Sequence, residues 1–152
     1  MAKAQTSPET TLQLKRTFAA PRDRVFRAWT DASVLAQWFA PSPEYVAVVP
    51  EFEFRIGGRY RFEMHHKGGN VHRVYGTYRE IDAPAKLVFT WHWESDQAQE
   101  SVVTIEFRAL GPSSTEMILT HENLPSTEER DKHSYGWNGC LTQLETLLAK
   151  QQ

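Results

Sequence analysis

The sequence is poor in the features that mark several large classes of protein. It has a single cysteine, Cys140, so no internal disulfide can form, which is typical of a reducing compartment. No run of 18 apolar residues is present, which excludes a membrane-spanning helix. The N-terminal residues MAKAQTSPETT lack the apolar core of a signal peptide, so the sequence predicts a cytoplasmic protein. Acidic and basic residues are interspersed without a basic stripe, which argues against nucleic acid as a partner.

The length of 152 residues suits one domain that can bury a sizeable core without metals or disulfides. Residues 1–9 are polar and are expected to form a flexible N-terminus. Residues 10–152 are expected to form a single domain. Aromatic residues are well represented and include five tryptophans, so large ring systems must find places in that core.

Hydrophobic periodicity predicts the order of elements. A first strand over Thr10–Phe18 precedes a helix at Pro21 and a second short helix capped by Asp31. Strands follow over Val46–Val49 and Phe52–Arg55, interrupted by Pro50 as on an edge or bulged strand. Five more strands follow, and the last of them ends at Glu122. Ser126 and Glu129 then form a capping box that opens one long helix to Gln152.

Short turns between these strands require an antiparallel sheet, since parallel strands need long crossovers. One face of such a sheet must be covered, and the long C-terminal helix is the cover available. The predicted fold class is therefore α+β. It is a helix-grip architecture, in which a curved antiparallel sheet wraps around a long C-terminal helix, with two short helices after the first strand.

The segment KLVFTWHWE, residues 86–94, places four large apolar groups on one face of a strand: Leu87, Phe89, Trp91 and Trp93. Two interpretations stay open for this row. The aromatic groups could belong to an ordinary packed core, or the two indoles could line a cavity between the sheet and the helix. A buried indole N–H usually needs an acceptor, which a core or a ligand can supply.

Several titratable groups share the inward-facing side of the strands. His121 could orient a polar ligand group or act as an acid or base, and Tyr78 and His72 have the same ambiguity. His133 lies four residues before Trp137 and either faces the cavity mouth or is solvated. For each of them a structural role is the alternative.

The sequence gives little support for a metal site or for a catalytic nucleophile. His65, His66 and His72 surround a hairpin, but adjacent strand residues point to opposite faces, so we expect no metal site. Cys140 lies near the apolar stripe of the long helix, where a thiol is usually inert. The glycine pairs lack the strand–loop–helix context of a phosphate loop, and no cofactor is expected.

Four segments carry a family resemblance, and together they span about Thr10 to Leu148: RTFAAPRDRVFRAWTDASVLAQWFAP, GGRYRFEM, GTYREIDAPAKLVFTW and LTHENLPSTEERDKHSYGWNGCLTQLETLL. They resemble the heat-shock-protein-90 ATPase activator homologue family, which belongs to the START-like, birch-pollen-allergen-like superfamily (SRPBCC). The most specific parts are Trp29, Trp38, the pair Gly57 and Gly58, and the Gly136–Gly139 segment.

The resemblance implies a START-like domain, and members of the wider superfamily bind hydrophobic ligands. We therefore expect this chain to bind a small, largely apolar molecule in the cavity between sheet and helix. The expected wall residues are Tyr78, Trp91, Trp93, His121 and Trp137. One alternative is a cyclase or dehydratase that uses His121 or Tyr78 as acid or base. Another is a chaperone-associated stress-response protein, and a homodimer is left open.

The eukaryotic co-chaperones that name the family resemble this sequence in their C-terminal domain alone. They carry a separate N-terminal domain that engages the chaperone, whereas nine residues precede the first predicted strand here. We therefore expect no chaperone partner and no activation of the ATPase.

Overall fold

The computed structural model describes residues 10–94 and 100–150. The predicted flexible N-terminus, residues 1–9, and the predicted helix end at Gln152 lie outside the described residues. In chain order the elements are β1 (Leu12–Phe18), α1 (Arg22–Thr30), α2 (Ala32–Trp38), β2 (Tyr45–Phe52), β3 (Arg59–His66), β4 (Val71–Asp82), β5 (Lys86–Trp93), β6 (Ser101–Gly111), β7 (Ser114–Glu122) and α3 (Thr127–Lys150).

The strands form one antiparallel sheet in the order β1-β7-β6-β5-β4-β3-β2, curled into a half-barrel. Apart from the pair β1 and β7, strands that are neighbours in the sheet are also consecutive in the chain, as short turns require. The pairing of β1 with β7 sets Leu12 opposite His121 and Phe18 opposite Thr115. The predicted α+β helix-grip fold is confirmed, with α3 inside the curl.

Irregular pairing bends the sheet at three places: Val48/Glu51, Tyr78/Glu80 and Ala109/Gly111. A bulge adds a residue to one strand and increases its local twist, which is how an open sheet curls. The first irregularity contains Pro50 and lies on the edge strand β2, as the sequence predicts, because an edge strand tolerates a residue without an N–H.

Two local predictions need correction. The predicted strand over Phe52–Arg55 is wrong, since β2 ends at Phe52. The chain must reverse before β3, and the Gly58 N–H donates to the carbonyl oxygen of Arg55 at 2.8 Å in that reversal. Pro21 lies at the N-cap of α1 and not at its first helical position, because its ψ of 153° is extended.

The inward-facing residues of the strands are buried as the alternation predicts. They are Tyr60, Phe62, Met64, Val74, Tyr78, Leu87, Phe89, Val103, Ile105, Phe107, Met117 and Leu119. The short helices add Val25, Phe26, Trp29, Leu35 and Trp38, and α3 adds Trp137, Leu141, Leu144 and Leu148. The core therefore lies between the concave sheet face and the three helices.

Several contacts fix the position of α3. Its first turn begins with the predicted cap, in which the Glu129 N–H donates to Ser126 Oγ at 3.1 Å. Near its end, Arg24 Nη2 donates to the Leu148 carbonyl oxygen at 2.9 Å. In its middle, a Cβ at Gly139 would overlap the carbonyl oxygen of Pro41. Glycine thus lets the helix backbone contact the loop that follows α2.

Candidate functional site

A cleft of about 670 Å³ opens where the sheet, the loop after α2 and the first half of α3 meet. Its aromatic lining consists of Phe39, Tyr45, Trp91, Trp93, Tyr135 and Trp137. Its polar lining consists of Ser42, Glu44, His66, His72, Glu129, Lys132 and His133, and the remaining lining residues are Pro41, Met64, Gly136 and Cys140. The row Leu87, Phe89, Trp91 and Trp93 is therefore packed core at its start and cleft wall at its end.

The rings of the cleft wall contact one another closely. The Trp91 ring centroid lies 5.0 Å from that of Trp137 and 5.4 Å from that of Trp93. Phe39 adds a fourth ring, 5.8 Å from Trp137 and 6.2 Å from Trp91. These separations are those of favourable aromatic pairs, so the wall is held by ring contacts across three separate elements.

Two tryptophan–histidine hydrogen bonds support this wall. Trp93 Nε1 donates to His133 Nε2 at 2.9 Å, and Trp137 Nε1 donates to His121 Nδ1 at 3.1 Å. Each imidazole must therefore be unprotonated at the accepting nitrogen and carry its proton on the other one. His133 Nδ1 then donates to the Glu129 carbonyl oxygen at 2.7 Å. These bonds assign a neutral tautomer to both rings.

His121 extends this network into the sheet. Its Nε2–H donates to Ser101 Oγ at 2.8 Å, and that hydroxyl donates to the Trp91 carbonyl oxygen at 3.2 Å. Both nitrogens of His121 are thus occupied by protein groups, and its side chain is fully buried. The arrangement orients Trp137 and joins β5, β6 and β7 behind the cleft.

Both histidines favour the neutral form. Burial lowers the pKa of His121 well below its usual value, and the neighbouring His133 lowers it further. Burial also lowers the pKa of His133. The His121 and His133 ring centroids are 5.0 Å apart, so two charged imidazoles would repel each other in a medium of low dielectric.

We expect acid to destabilise the fold through these two histidines. The unfolded chain protonates them below about pH 6.5, whereas the folded chain resists, so the free energy of unfolding is fully retained above that pH. It should fall as pH drops from about 6.5 towards the lowered folded-state pKa values, by up to about 1.4 kcal/mol per pH unit for each histidine. Urea unfolding between pH 5 and 8 measures this slope.

The matched variant is His121→Gln, whose amide can accept from Trp137 and donate to Ser101 without titrating. Its unfolding free energy should depend less steeply on pH over the same interval. An unfolding free energy that stays constant from pH 7 to pH 5 in the parent protein would contradict the neutral assignment.

One indole of the wall has no acceptor. The Trp91 side chain is 4% exposed, and its Nε1–H is buried without a hydrogen-bond partner in the part of the chain that the structure describes. Trp29 shares this property, but Trp29 does not line the cleft. A buried donor without an acceptor is costly, so the N–H of this cleft-lining residue is an unsatisfied donor.

The structure separates the five predicted wall residues. Trp91, Trp93 and Trp137 line the cleft, and His121 lies directly behind them. Tyr78 lies elsewhere, in an aromatic cluster with the buried Tyr60 and Phe89 and the partly buried Phe52 and Phe54. Burial raises the pKa of Tyr78, which keeps its hydroxyl protonated.

The other candidate histidines divide between cleft and surface. His66, His72 and His133 line the cleft. His65 Nε2 lies 2.8 Å from Glu63 Oε1, and His66 Nε2 lies 3.3 Å from Glu44 Oε1. A carboxylate therefore contacts one ring nitrogen of each of these two histidines. Within residues 10–94 and 100–150 no group of three metal-binding side chains occurs. Cys140 is buried, and this raises the pKa of its thiol to about 12.

Sequence reasoning missed part of the lining. Glu129, Lys132, His133, Gly136, Trp137 and Cys140 follow one face of α3, and that i, i+3, i+4, i+7 spacing could have identified Glu129 and Gly136. Phe39 and Pro41 come from the loop between α2 and β2, and Tyr45 begins β2. Nothing local in that loop indicates that it meets α3.

No helix among the described residues is long and apolar enough to cross a membrane.

Solved structures of similar proteins share this fold. Protein CV1439 from Chromobacterium violaceum is 29% identical, with a TM-score of 0.83 over 91% of this chain and 97% of its own. The AHSA1 protein SPO3351 from Silicibacter pomeroyi is 29% identical, with a TM-score of 0.81 over 93% and 99%. PFC0360w, an HSP90 activator from Plasmodium falciparum, is 24% identical, with a TM-score of 0.72 over 92% and 96%, a likeness of fold alone.

Sequence comparison gives the family. No curated protein matches the chain. The family model for Activator of Hsp90 ATPase homolog 1-like proteins matches residues 19–149, which is most of the chain, and the predicted resemblance is confirmed. The chain therefore belongs to the family of Activator of Hsp90 ATPase homolog 1-like proteins.

Proposed function

We propose that this protein binds a small, largely apolar molecule in the cleft, against Trp91, Trp93 and Trp137. The observation that carries the proposal is the cleft itself, about 670 Å³ in volume with a wall of contacting rings. Small-molecule sites in proteins are concave, measure roughly 300–1,000 Å³ and are lined mainly by apolar and aromatic groups.

Gly136 supports this proposal from α3. It lines the cleft on α3, and a Cβ built there would meet no heavy atom within 4 Å. A glycine inside a helix costs about 0.5–1 kcal/mol relative to alanine, and no close contact requires that cost at this position. The absence of a side chain at Gly136 leaves space in the cleft for a ligand.

Filling this space should separate ligand binding from stability. Gly136→Leu would direct a side chain into the cleft, and we expect the affinity for Nile red, a neutral apolar fluorophore, to fall at least about tenfold. Gly136→Ala should raise the free energy of unfolding by about 0.5–1 kcal/mol through helix propensity. Fluorescence titration and urea unfolding measure the two effects.

Two matched variants control this experiment. Gly139→Ala, three residues further along α3, should lower the free energy of unfolding by about 1–3 kcal/mol, because its Cβ overlaps the Pro41 carbonyl. Ala149→Leu adds a leucine at an exposed position of α3 and should leave Nile red binding unchanged. Unaltered binding by Gly136→Leu would refute the proposed site.

The contacts give less support to the enzymatic alternative. A cyclase or dehydratase needs an acid or base that reaches the substrate, within about 3 Å of the proton it moves. His121 is enclosed by Ser101 and Trp137, and Tyr78 lies away from the cleft. The chaperone-associated alternative rests on the family description, and no surface feature described above favours it.

A further inference from the structure

We propose that the molecule bound in the cleft is neutral and presents a carbonyl oxygen to the indole N–H of Trp91. This inference rests on the proposed function and specifies the chemical class of its ligand. It follows from which polar groups of the wall are already engaged and which one is not.

The three indoles that line the cleft differ in their hydrogen bonding. Trp93 donates to His133 and Trp137 donates to His121, so both of these N–H groups are satisfied within the protein. The Trp91 N–H has no acceptor among residues 10–94 and 100–150, although its atom is buried. A ligand that carries an acceptor would recover this bond, whereas a pure hydrocarbon would leave the donor unsatisfied.

The two histidines that support the wall offer no free acceptor to a ligand. The accepting nitrogens of His121 and His133 are occupied by Trp137 and Trp93, and their N–H groups donate to Ser101 and to the Glu129 carbonyl oxygen. A ligand hydroxyl acting only as donor would thus find no partner on these rings. An oxygen that only accepts, such as that of a ketone, ester or amide, fits the unpartnered N–H of Trp91.

Charge at the cleft selects a neutral acceptor over a carboxylate. The charged lining residues are Glu44, Glu129 and Lys132, and the ammonium of Lys132 lies 3.5 Å from Glu129 Oε2. Two carboxylates against one paired ammonium disfavour the approach of an anion. A carboxylate brought among the indoles would also lose its hydration without a counter-charge beside it.

Three naphthalenes of nearly equal size test this chemistry by displacement of Nile red from the full-length protein. The first is 2-acetylnaphthalene, which has a neutral carbonyl. The second is 2-ethylnaphthalene, which has no acceptor. The third is the anion of 2-naphthaleneacetic acid, which has a carboxylate. We expect the ketone to bind about fivefold or more tightly than the hydrocarbon, the ratio that one net hydrogen bond provides. The anion should bind more weakly than the ketone.

Trp91→Phe assigns the preference to one atom, because phenylalanine keeps an aromatic ring and removes the N–H. The ratio between ketone and hydrocarbon should fall to about one in this variant. Trp29→Phe removes the other unpartnered indole N–H, which lies outside the cleft lining, and should keep the parent ratio. The comparison of ligands in the parent protein holds whether or not either variant folds.

The results of these titrations distinguish failure of the carbonyl inference from failure of the proposed apolar binding. Saturable Nile red binding with equal displacement by ketone and hydrocarbon would overturn the inference and leave apolar binding intact. A preference for the ketone that persists in folded Trp91→Phe, or tighter binding of the anion, would also overturn it. If Nile red does not bind at all, the proposed function and this inference both fail.

Discussion

A chain that ends at residue 125 is expected to be insoluble or molten. The truncation removes α3, and with it the buried side chains of Trp137, Leu141, Leu144 and Leu148. The concave sheet face would then expose groups such as Ile105, Met117 and Leu119, which are fully buried in the complete fold. Exposed apolar surface of this extent is found in aggregating or molten states, not in cooperative folds. Near-ultraviolet circular dichroism and urea unfolding measure the loss.

A pair of single substitutions tests the same dependence in the full-length chain. Leu144→Asp places a carboxylate where the leucine is fully buried and should abolish cooperative unfolding. Thr146→Asp, two residues on and exposed, should change the free energy of unfolding by only about 0.5 kcal/mol. A soluble 125-residue chain that unfolds cooperatively would show that the sheet needs no helical cover.

Truncating the cleft tryptophans should separate wall from core. Phe107 is 2% exposed and packs edge-on against Phe26 at 5.3 Å, so Phe107→Ala should cost about 3–5 kcal/mol of unfolding free energy. Trp93 is half-buried and borders existing space, so Trp93→Ala should cost less than about 3 kcal/mol while weakening Nile red binding. Trp91→Ala should lie closer to the core value because Trp91 is buried.

The measurement compares urea unfolding and Nile red titration for the three alanine variants. Phe107→Ala serves as the packed-core control and should alter binding only through its effect on folding. If Trp91→Ala and Trp93→Ala each lose as much stability as Phe107→Ala and neither alters probe binding, the row is plain core and the cleft holds no ligand there.

Most of the fold could be predicted because the signals that define it are local. Alternation on the strands fixes which side chains face inward, and the helical spacing of Trp137, Leu141, Leu144 and Leu148 fixes the buried face of α3. The end of β2 could not be predicted in the same way. Phe54 continues the alternating pattern, but the turn geometry that leads into β3 ends the strand two residues earlier.

The site was predictable only in part, since periodicity gives the face of a strand and not the position along it. Tyr78 and Trp91 both face inward, yet only Trp91 reaches the cleft. Which end of the curled sheet stays open depends on where α3 and the loop around Phe39 and Pro41 close against each other. That contact joins segments about 100 residues apart, and neither segment has a sequence feature that predicts the contact.

The contact between Gly139 and Pro41 limits the shape of the molecules that the proposed ligand site can accommodate. Backbone meets backbone there, because the glycine has no side chain between them. Side chains can adjust by rotating, but two abutting backbones cannot separate without moving whole elements. The corner of the cleft formed by Pro41 and Cys140 is therefore rigid, whereas the rim around Tyr135 and Lys132 is exposed and adjustable. We expect longer molecules to extend outward past Tyr135, with the inner end of every ligand held to the same shape.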